Sequence, residues 1–235
     1  SFGQAVTNTG ISVATISSTT YAFMGVTGAV LQISTAGNIV SATNSSPVTH
    51  SVLGRNAVGL GATKRVYAGD DGGTMWAINP TSIASFAGAP LWSFNTANAI
   101  KSSPYYDTGT DTVQYGTQGG TVIVLGGTGA KLNTAYPYTP AGGAGDPITS
   151  APLYYNGVLA VGSTGGKLYF LDRNTGNATT PVTVIREYQF GSSEAVSGIG
   201  FDPTANRYMV STASSSGDAR LYYIDLIADP TPASL

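Results

Sequence analysis

One arrangement recurs along this chain: an apolar run, a pair of glycines and a second apolar run. It stands at residues 66–79, with Gly72-Gly73, at residues 113–125, with Gly119-Gly120, and at residues 159–172, with Gly165-Gly166. Looser copies occupy residues 21–33 and 208–225, the latter with a longer turn. Aligned on the glycine that precedes each turn, Gly25, Gly69, Gly116 and Gly162 are separated by 44, 47 and 46 residues. That interval suits one four-stranded blade of a β-propeller, a unit that cannot bury both faces by itself and must stack on its neighbours. A chain built this way has little freedom to be anything but a radial array of small sheets.

The segments around each hairpin supply the rest of a blade. Upstream lie residues 101–107, 149–156 and 196–203, expected to form innermost strands. Downstream, residues 91–94 and 184–190 alternate as half-exposed outer strands do. The expected units are residues 10–45, 50–96, 99–139, 147–191 and 195–227, followed by a proline-rich tail or linker at 228–235. Paired glycines at 72/73, 119/120 and 165/166 are expected to take positive φ in tight turns. The fifth unit shows only three strands, so residues 4–8 are expected to supply its outer strand.

Ser102-Ser103-Pro104, Gly116, Gly119-Gly120, Asp172 with Asn174-Thr175-Gly176, and Trp92-Ser93-Phe94 together form a pattern. It resembles the pyrroloquinoline-quinone (PQQ) repeat, most closely over residues 60–190. The resemblance implies an all-β propeller of about five four-stranded blades, or a fragment of a larger propeller. It also implies a non-catalytic branch similar to the outer-membrane assembly lipoprotein or to pilus-tip adhesin propellers. The quinoprotein dehydrogenases of the superfamily carry adjacent cysteines and an acidic calcium-holding set beside the quinone. This chain has no cysteine, so no quinone is expected.

Composition narrows the function further. Lys and Arg number 10 against 12 Asp and Glu in 235 residues, for a net charge of −2. The basic residues are scattered singly except for Lys64-Arg65, which argues against a nucleic-acid partner. The apolar share of 42% is ample for a core and unlike that of disordered chains. No apolar run approaches the ~18 residues that a spanning helix needs.

Few side chains suggest chemistry. His50 is the only histidine, which excludes multi-histidine metal sites and leaves a single imidazole as a general base. Asp107 and Asp111 flank Gly109 at a spacing that lets a turning loop aim two carboxylates at a hard cation, so Ca²⁺ is the one metal expected there. The competing reading is an Asp-capped turn. Asp70-Asp71-Gly72-Gly73-Thr74 resembles an Asp-box turn, where aspartate braces a hairpin. Two glutamates, Glu187 and Glu194, are too few for a sialidase-like site. Tyrosine pairs at 105/106, 154/155 and 222/223 serve inter-blade packing or an exposed gripping face. Asn44-Ser45-Ser46 and Asn177-Ala178-Thr179 match the glycosylation sequon.

The expectation is therefore a non-catalytic, secreted propeller, periplasmic or extracellular. It would act as a scaffold for a protein or cell-surface partner, with a glycan as an alternative partner and adhesion as one use. Two alternatives come from other classes: a piece of a quinoprotein-like or carbohydrate-active enzyme, and a homo-oligomeric subunit of a filament, pilus or surface layer. The purified protein should give a far-ultraviolet circular dichroism spectrum of β type and no absorption beyond the aromatic band. A helical spectrum, or a quinone or haem band, would refute the first or the second expectation.

Overall fold

The computed structural model describes residues 10–34, 39–42, 48, 50–52, 54–81, 83–140, 145–191, 194–226 and 233–234. Five antiparallel meanders follow chain order. The first is β1 (Ile11–Ile16), β2 (Thr19–Val26), β3 (Ala29–Ser34) and β4 (Ile39–Ala42). The second is β5 (Ala57–Gly59), β6 (Arg65–Gly69), β7 (Thr74–Ile78) and β8 (Trp92–Asn95), and the third is β9 (Tyr105–Asp107), β10 (Thr112–Gly116) and β11 (Val122–Gly126). The fourth is β12 (Leu153–Tyr155), β13 (Val158–Gly162), β14 (Lys167–Asp172) and β15 (Thr183–Gln189). The last is β16 (Glu194–Asp202), β17 (Arg207–Ser214), β18 (Ala219–Ile224) and β19 (Ala233–Ser234).

Three details depart from the expected layout. In the third sheet the fourth position is held by one residue, Tyr138, which exchanges backbone hydrogen bonds of 2.7 and 2.9 Å with Val122. In the fifth, β19 pairs with Tyr222 and Tyr223, so residues of the expected tail lie on the edge that the sequence assigned to residues 4–8. Residues 4–8 themselves fall outside the described residues. Lastly, a short helix α1 (Ile83–Ala87) interrupts the all-strand pattern between β7 and β8. It drives Phe86 into the core, fully buried and 5.9 Å from the Phe23 ring.

The chain separates into two compact units, residues 1–114 with 125–130, and residues 115–124 with 131–235. Phe23, Val30, Val52, Val66, Trp76 and Phe86 fill the core of the first. The second has two cores, one around Leu168, Phe170, Tyr208 and Val210, the other around Val124, Tyr136, Leu159 and Tyr169.

Neighbouring blades meet at a repeated seam. Val52, Ile100, Ile148 and Val196 recur every 48 residues, each at most 1% exposed. Each backbone N–H donates to the carbonyl of the residue that follows the preceding blade's glycine: Val26, Asp70, Thr117 and Ser163, at 3.4, 2.9, 3.0 and 2.9 Å. The side chain of each then lies on that glycine. A Cβ on Gly25, Gly69, Gly116 or Gly162 would sit 2.6, 2.4, 2.3 or 2.2 Å from a methyl of its partner. Glycine is needed here for space, since no hydrogen-bonded blade edge could approach so closely past a methyl.

The hairpins repeat a second device. Asp70, Thr117 and Ser163 each follow an inner hairpin strand and Ser214 ends one, and the side-chain oxygen of each accepts from the backbone N–H four residues on, at 2.8, 3.3, 3.0 and 3.1 Å. The third residue of each turn is a left-handed glycine, with φ of 85, 79, 81 and 93° at Gly73, Gly120, Gly166 and Gly217. Only the second glycine of each pair is left-handed. The first makes room instead: a Cβ on Gly72 would meet the His50 ring at 2.5 Å, and one on Gly165 would meet the Asp146 carboxylate at 2.7 Å.

Asn156-Gly157, the turn between β12 and β13, takes φ of 46 and 88°, the conformation that Asn-Gly favours in two-residue hairpins. The β1–β2 turn makes the same demand of two serines, Ser17 and Ser18, at φ of 49 and 67°. Ser18→Gly should therefore stabilise the protein by roughly 0.5–1 kcal/mol. Gly69→Ala should cost about 1–3 kcal/mol by overpacking against Ile100. Thermal melts, at roughly 2–4 °C per kcal/mol for a chain of this size, should move in these opposite directions. A neutral Gly69→Ala would show that the seam yields.

Candidate functional site

The carboxylates singled out in the sequence are engaged in the fold. Asp70 is completely buried; Oδ1 accepts from the Thr74 N–H at 2.8 Å and Oδ2 from the Trp76 indole at 2.7 Å. It braces a hairpin, as the Asp-box likeness implied. Asp71 accepts from the Ser51 N–H at 2.8 Å. Asp107 caps its own turn, accepting from the Gly109 N–H at 3.2 Å and from the Thr110 hydroxyl. Asp111 Oδ1 accepts from the nearly buried Arg65 guanidinium and from the Tyr106 hydroxyl, both at 2.8 Å. Among the described residues no three His, Asp or Glu side chains converge as a metal site would require.

The remaining candidates are dispersed. The His50 ring lies against Gly72, and its carbonyl accepts from Gly28 at 3.2 Å. Glu187 pairs with Lys167 at 3.0 Å. Glu194 is held by Arg220 at 2.7 Å, with Thr212 and Tyr222 donating to its other oxygen at 3.0 and 3.1 Å. Asn177 lies in an exposed turn, its Oδ1 accepting from the Thr179 N–H and hydroxyl, both at 2.9 Å. Asn44 is outside the described residues.

The tyrosine pairs divide as strand alternation requires. Tyr106 stacks on Tyr67 at 5.4 Å, while Tyr67 also meets Trp92 at 5.8 Å, whose indole donates to the Gly127 carbonyl at 2.8 Å. With Arg65 and Asp111 this makes one aromatic and ionic lock within the first unit. In the second, the Arg173 guanidinium lies 3.4 Å from the centre of the Tyr154 ring, and Tyr155 packs at 4.1 Å on Phe201. Arg173 is 1% exposed, a burial that the cation–π contact helps to offset.

Open concave surface occurs on the inner strands. In the first unit a cleft of about 400 Å³ is walled by Ile11, Ser12 and Val13 of β1, by Arg55 through Val58 at the start of β5, and by Pro104 through Tyr106 at the start of β9. Three successive blades thus contribute corresponding segments. The Ser12 hydroxyl donates to the Asn56 carbonyl, and the Arg55 N–H donates to Ser103 Oγ at 2.9 Å. The alternation of β1 buries Ala14 and Ile16 and leaves Ile11 and Val13 54 and 65% exposed. Arg55 and Asn56 belong to no motif; their one mark in the sequence is a lone charge in an otherwise uncharged stretch from 23 to 63. The second unit has a smaller cleft of about 210 Å³, lined by Tyr155, Phe201, Tyr208 and Asp225 among others.

Five antiparallel meanders joined by a repeated seam define a β-propeller, and the fold class is all-β. Solved structures agree. BamB from Moraxella catarrhalis matches 95% of this chain and 60% of its own at 17% identity and a TM-score of 0.65. A chain of a mitotic checkpoint complex matches 95% of this chain and 62% of its own at 10% identity and 0.69. The designed protein Ika8 matches 91% and 58% at 16% identity and 0.62. The chain thus spans about three fifths of each of these longer chains. No protein-family profile matches it, and no curated protein matches it in sequence. No described helix is long and apolar enough to cross a membrane.

Burial makes several tyrosines hard to ionise. Tyr67 is pushed up to about 12 by burial, which outweighs the opposing pull of Arg65, and Tyr208 is likewise raised to about 12, with Tyr155 adding to the effect of burial. Tyr106 and Tyr136 are raised as well, again chiefly by burial. The folded state holds these protons more tightly than the unfolded chain. Stability is thus complete below the ordinary tyrosine value of 10 and is lost as pH rises from 10 to about 12. Tyr67 and Tyr208 should each contribute at most about 1.4 kcal/mol per pH unit to that loss, less as solvent screens them. Urea midpoints should fall across this window, and Tyr67→Phe should reduce the slope; a flat profile would refute the assignment.

Proposed function

We propose that this chain is a non-catalytic protein-interaction scaffold of the PQQ-repeat type, working outside the cytoplasm in the periplasm or extracellular space. The observation that carries it is the first-unit cleft: exposed apolar Ile11 and Val13 beside the exposed Arg55, on segments that three blades hold in register. Exposed branched side chains on an inner strand gain most by being covered, and the adjacent cation gives a partner orientation as well as area. The functional carboxylates of a hydrolase or a quinoprotein would have to remain available. Here Asp70, Asp111 and Glu194 already hold N–H, hydroxyl or guanidinium groups of the fold. The resemblance of the repeat pattern to the outer-membrane assembly lipoprotein and to pilus-tip adhesin propellers supports the location.

A photo-crosslinking amino acid at Val13, expressed in cells of the source organism, should give a discrete protein adduct in the envelope or secreted fraction. The same group at Ala178, in an exposed loop of the second unit, should not. Adding Arg55→Ala should weaken the Val13 adduct. No adduct at Val13, or equal adducts at both positions, would overturn the proposal.

A further inference from the structure

The geometry points to the second-unit cleft as a binding site for the terminal neutral pyranose ring of a glycan, its C–H face laid on the Tyr155–Phe201 wall and its hydroxyls met by Asn156, Asn206 and Tyr208. The inference goes beyond the scaffold reading. It concerns other residues and stands whether or not the first-unit cleft holds a protein.

Three aromatic rings line this cleft. Tyr155 of the fourth blade lies 4.1 Å from Phe201 of the fifth with 30° between the ring planes, and Phe201 lies 4.9 Å from Tyr208. Tyr155 is nevertheless 43% exposed, more than its hydroxyl alone can account for, so aromatic surface is left open. Tyr208 is only 3% exposed, with its ring set edge-on to Phe170 at 4.7 Å. Among the described residues its hydroxyl has no hydrogen-bond partner, and unlike those of Tyr67, Tyr115 and Tyr169 it is not sealed from solvent. Tyr155 adds to the burial that raises Tyr208 to about 12, which places the two phenol oxygens near one another. The Tyr208 hydroxyl is thus turned toward the cleft, with a bond still to make.

The polar rim sets the class of ligand. Asn156 and Asn206 line the cleft from the first hairpins of the fourth and fifth blades, both exposed and both left-handed, at φ of 46 and 52°. The fold asks for their backbones and not for their carboxamides. The β16–β17 turn is closed by Asp202, whose Oδ1 accepts from the Thr204 and Ala205 N–H groups at 2.8 and 3.2 Å. Each carboxamide therefore brings a donor and an acceptor to the rim. Asp225 adds a carboxylate, and no Lys, Arg or His lines the cleft, so an anion would find no counter-charge there. A quaternary ammonium would leave the carboxamide and phenol donors unmet. A sugar hydroxyl both donates and accepts, and the electropositive C–H face of a pyranose suits the negative face of an aromatic ring. The volume of about 210 Å³ suits one such ring, well short of pockets for drug-sized ligands, which start at about 300 Å³.

Titration of the ¹⁵N-labelled protein with the methyl β-glycosides of glucose, galactose and N-acetylglucosamine, and with methyl α-mannoside, tests this directly. At least one should shift the Asn156 and Asn206 side-chain NH₂ resonances saturably, with a dissociation constant in the millimolar range. Asn156→Gly and Asn206→Gly keep the left-handed backbone and remove only the carboxamide. Each should weaken that glycoside about tenfold, read at the remaining asparagine, with the melting temperature unchanged. Tyr155→Leu keeps an apolar contact with Phe201 but has no π face, and should abolish binding. Tyr208→Phe should weaken it severalfold without loss of stability. The inference fails if no glycoside saturates, or if both glycine variants or a folded Tyr155→Leu protein bind as the native chain does. If Tyr155→Leu does not fold, the glycine variants decide. Saturation by choline but by no glycoside would overturn the inference in favour of a cation cage. A free sugar that binds while its methyl glycoside does not would also overturn it, because the anomeric oxygen must carry the rest of the glycan. None of these results bears on the Val13 adduct, which tests the scaffold reading alone.

Discussion

The fold depends on a close approach that only glycine permits. Near the end of the second strand in each of the first four blades, a Val or Ile from the following segment presses a methyl onto the bare α-carbon while its backbone N–H bonds to the next carbonyl. Packing and hydrogen bonding are satisfied by one geometry. Either alone would be weak, since a backbone bond adds only about 1 kcal/mol net and a single buried methyl a similar amount. Together they fix the spacing between sheets, which lets the aromatic side chains of adjacent blades interlock.

Around that seam the fold uses side-chain oxygens to complete its turns. Asp70, Thr117, Ser163 and Ser214 differ in chemistry yet perform the same task, each accepting the N–H four residues on. Asp70 goes further. Its buried carboxyl group accepts from both the Thr74 N–H and the Trp76 indole. The turn, the inner strand and the core aromatic therefore form one unit. Residues that look reactive in the sequence are consumed in this way, as Asp111 is by Arg65 and Tyr106.

The first-unit cleft stands apart from this economy. Just before the inner strands, Ser103 takes the Arg55 N–H, and Ser150 takes that of Gly162 at 2.9 Å. Asn56, just before β5, has a buried amide without a partner among the described residues, as do Gln32 and Gln114 at their side-chain oxygens, and it lies near exposed Ile11 and Val13. Exposed apolar side chains beside a lone cation are where covering by a partner can gain binding energy.

The sequence by itself determined the all-strand class, the five repeats and the hairpin glycines, because period, apolar alternation and turn chemistry are local properties written within a few residues. It also carried the Asp-braced turn at Asp70, since that bond spans only four residues. It did not show that residues 233–234 form a strand, that Phe86 enters the core from a helical turn, or that Asp111 is matched by Arg65. Arg65 and Asp111 stand 46 residues apart, and no local pattern joins them. The cleft was equally hidden. Ser12, Asn56 and Tyr105 come from three different blades, and whether the Asn56 amide has a partner depends on what the stacking of those blades places within hydrogen-bond reach. Local chemistry made the strands, and only their tertiary stacking decided which polar groups would be satisfied and which left open.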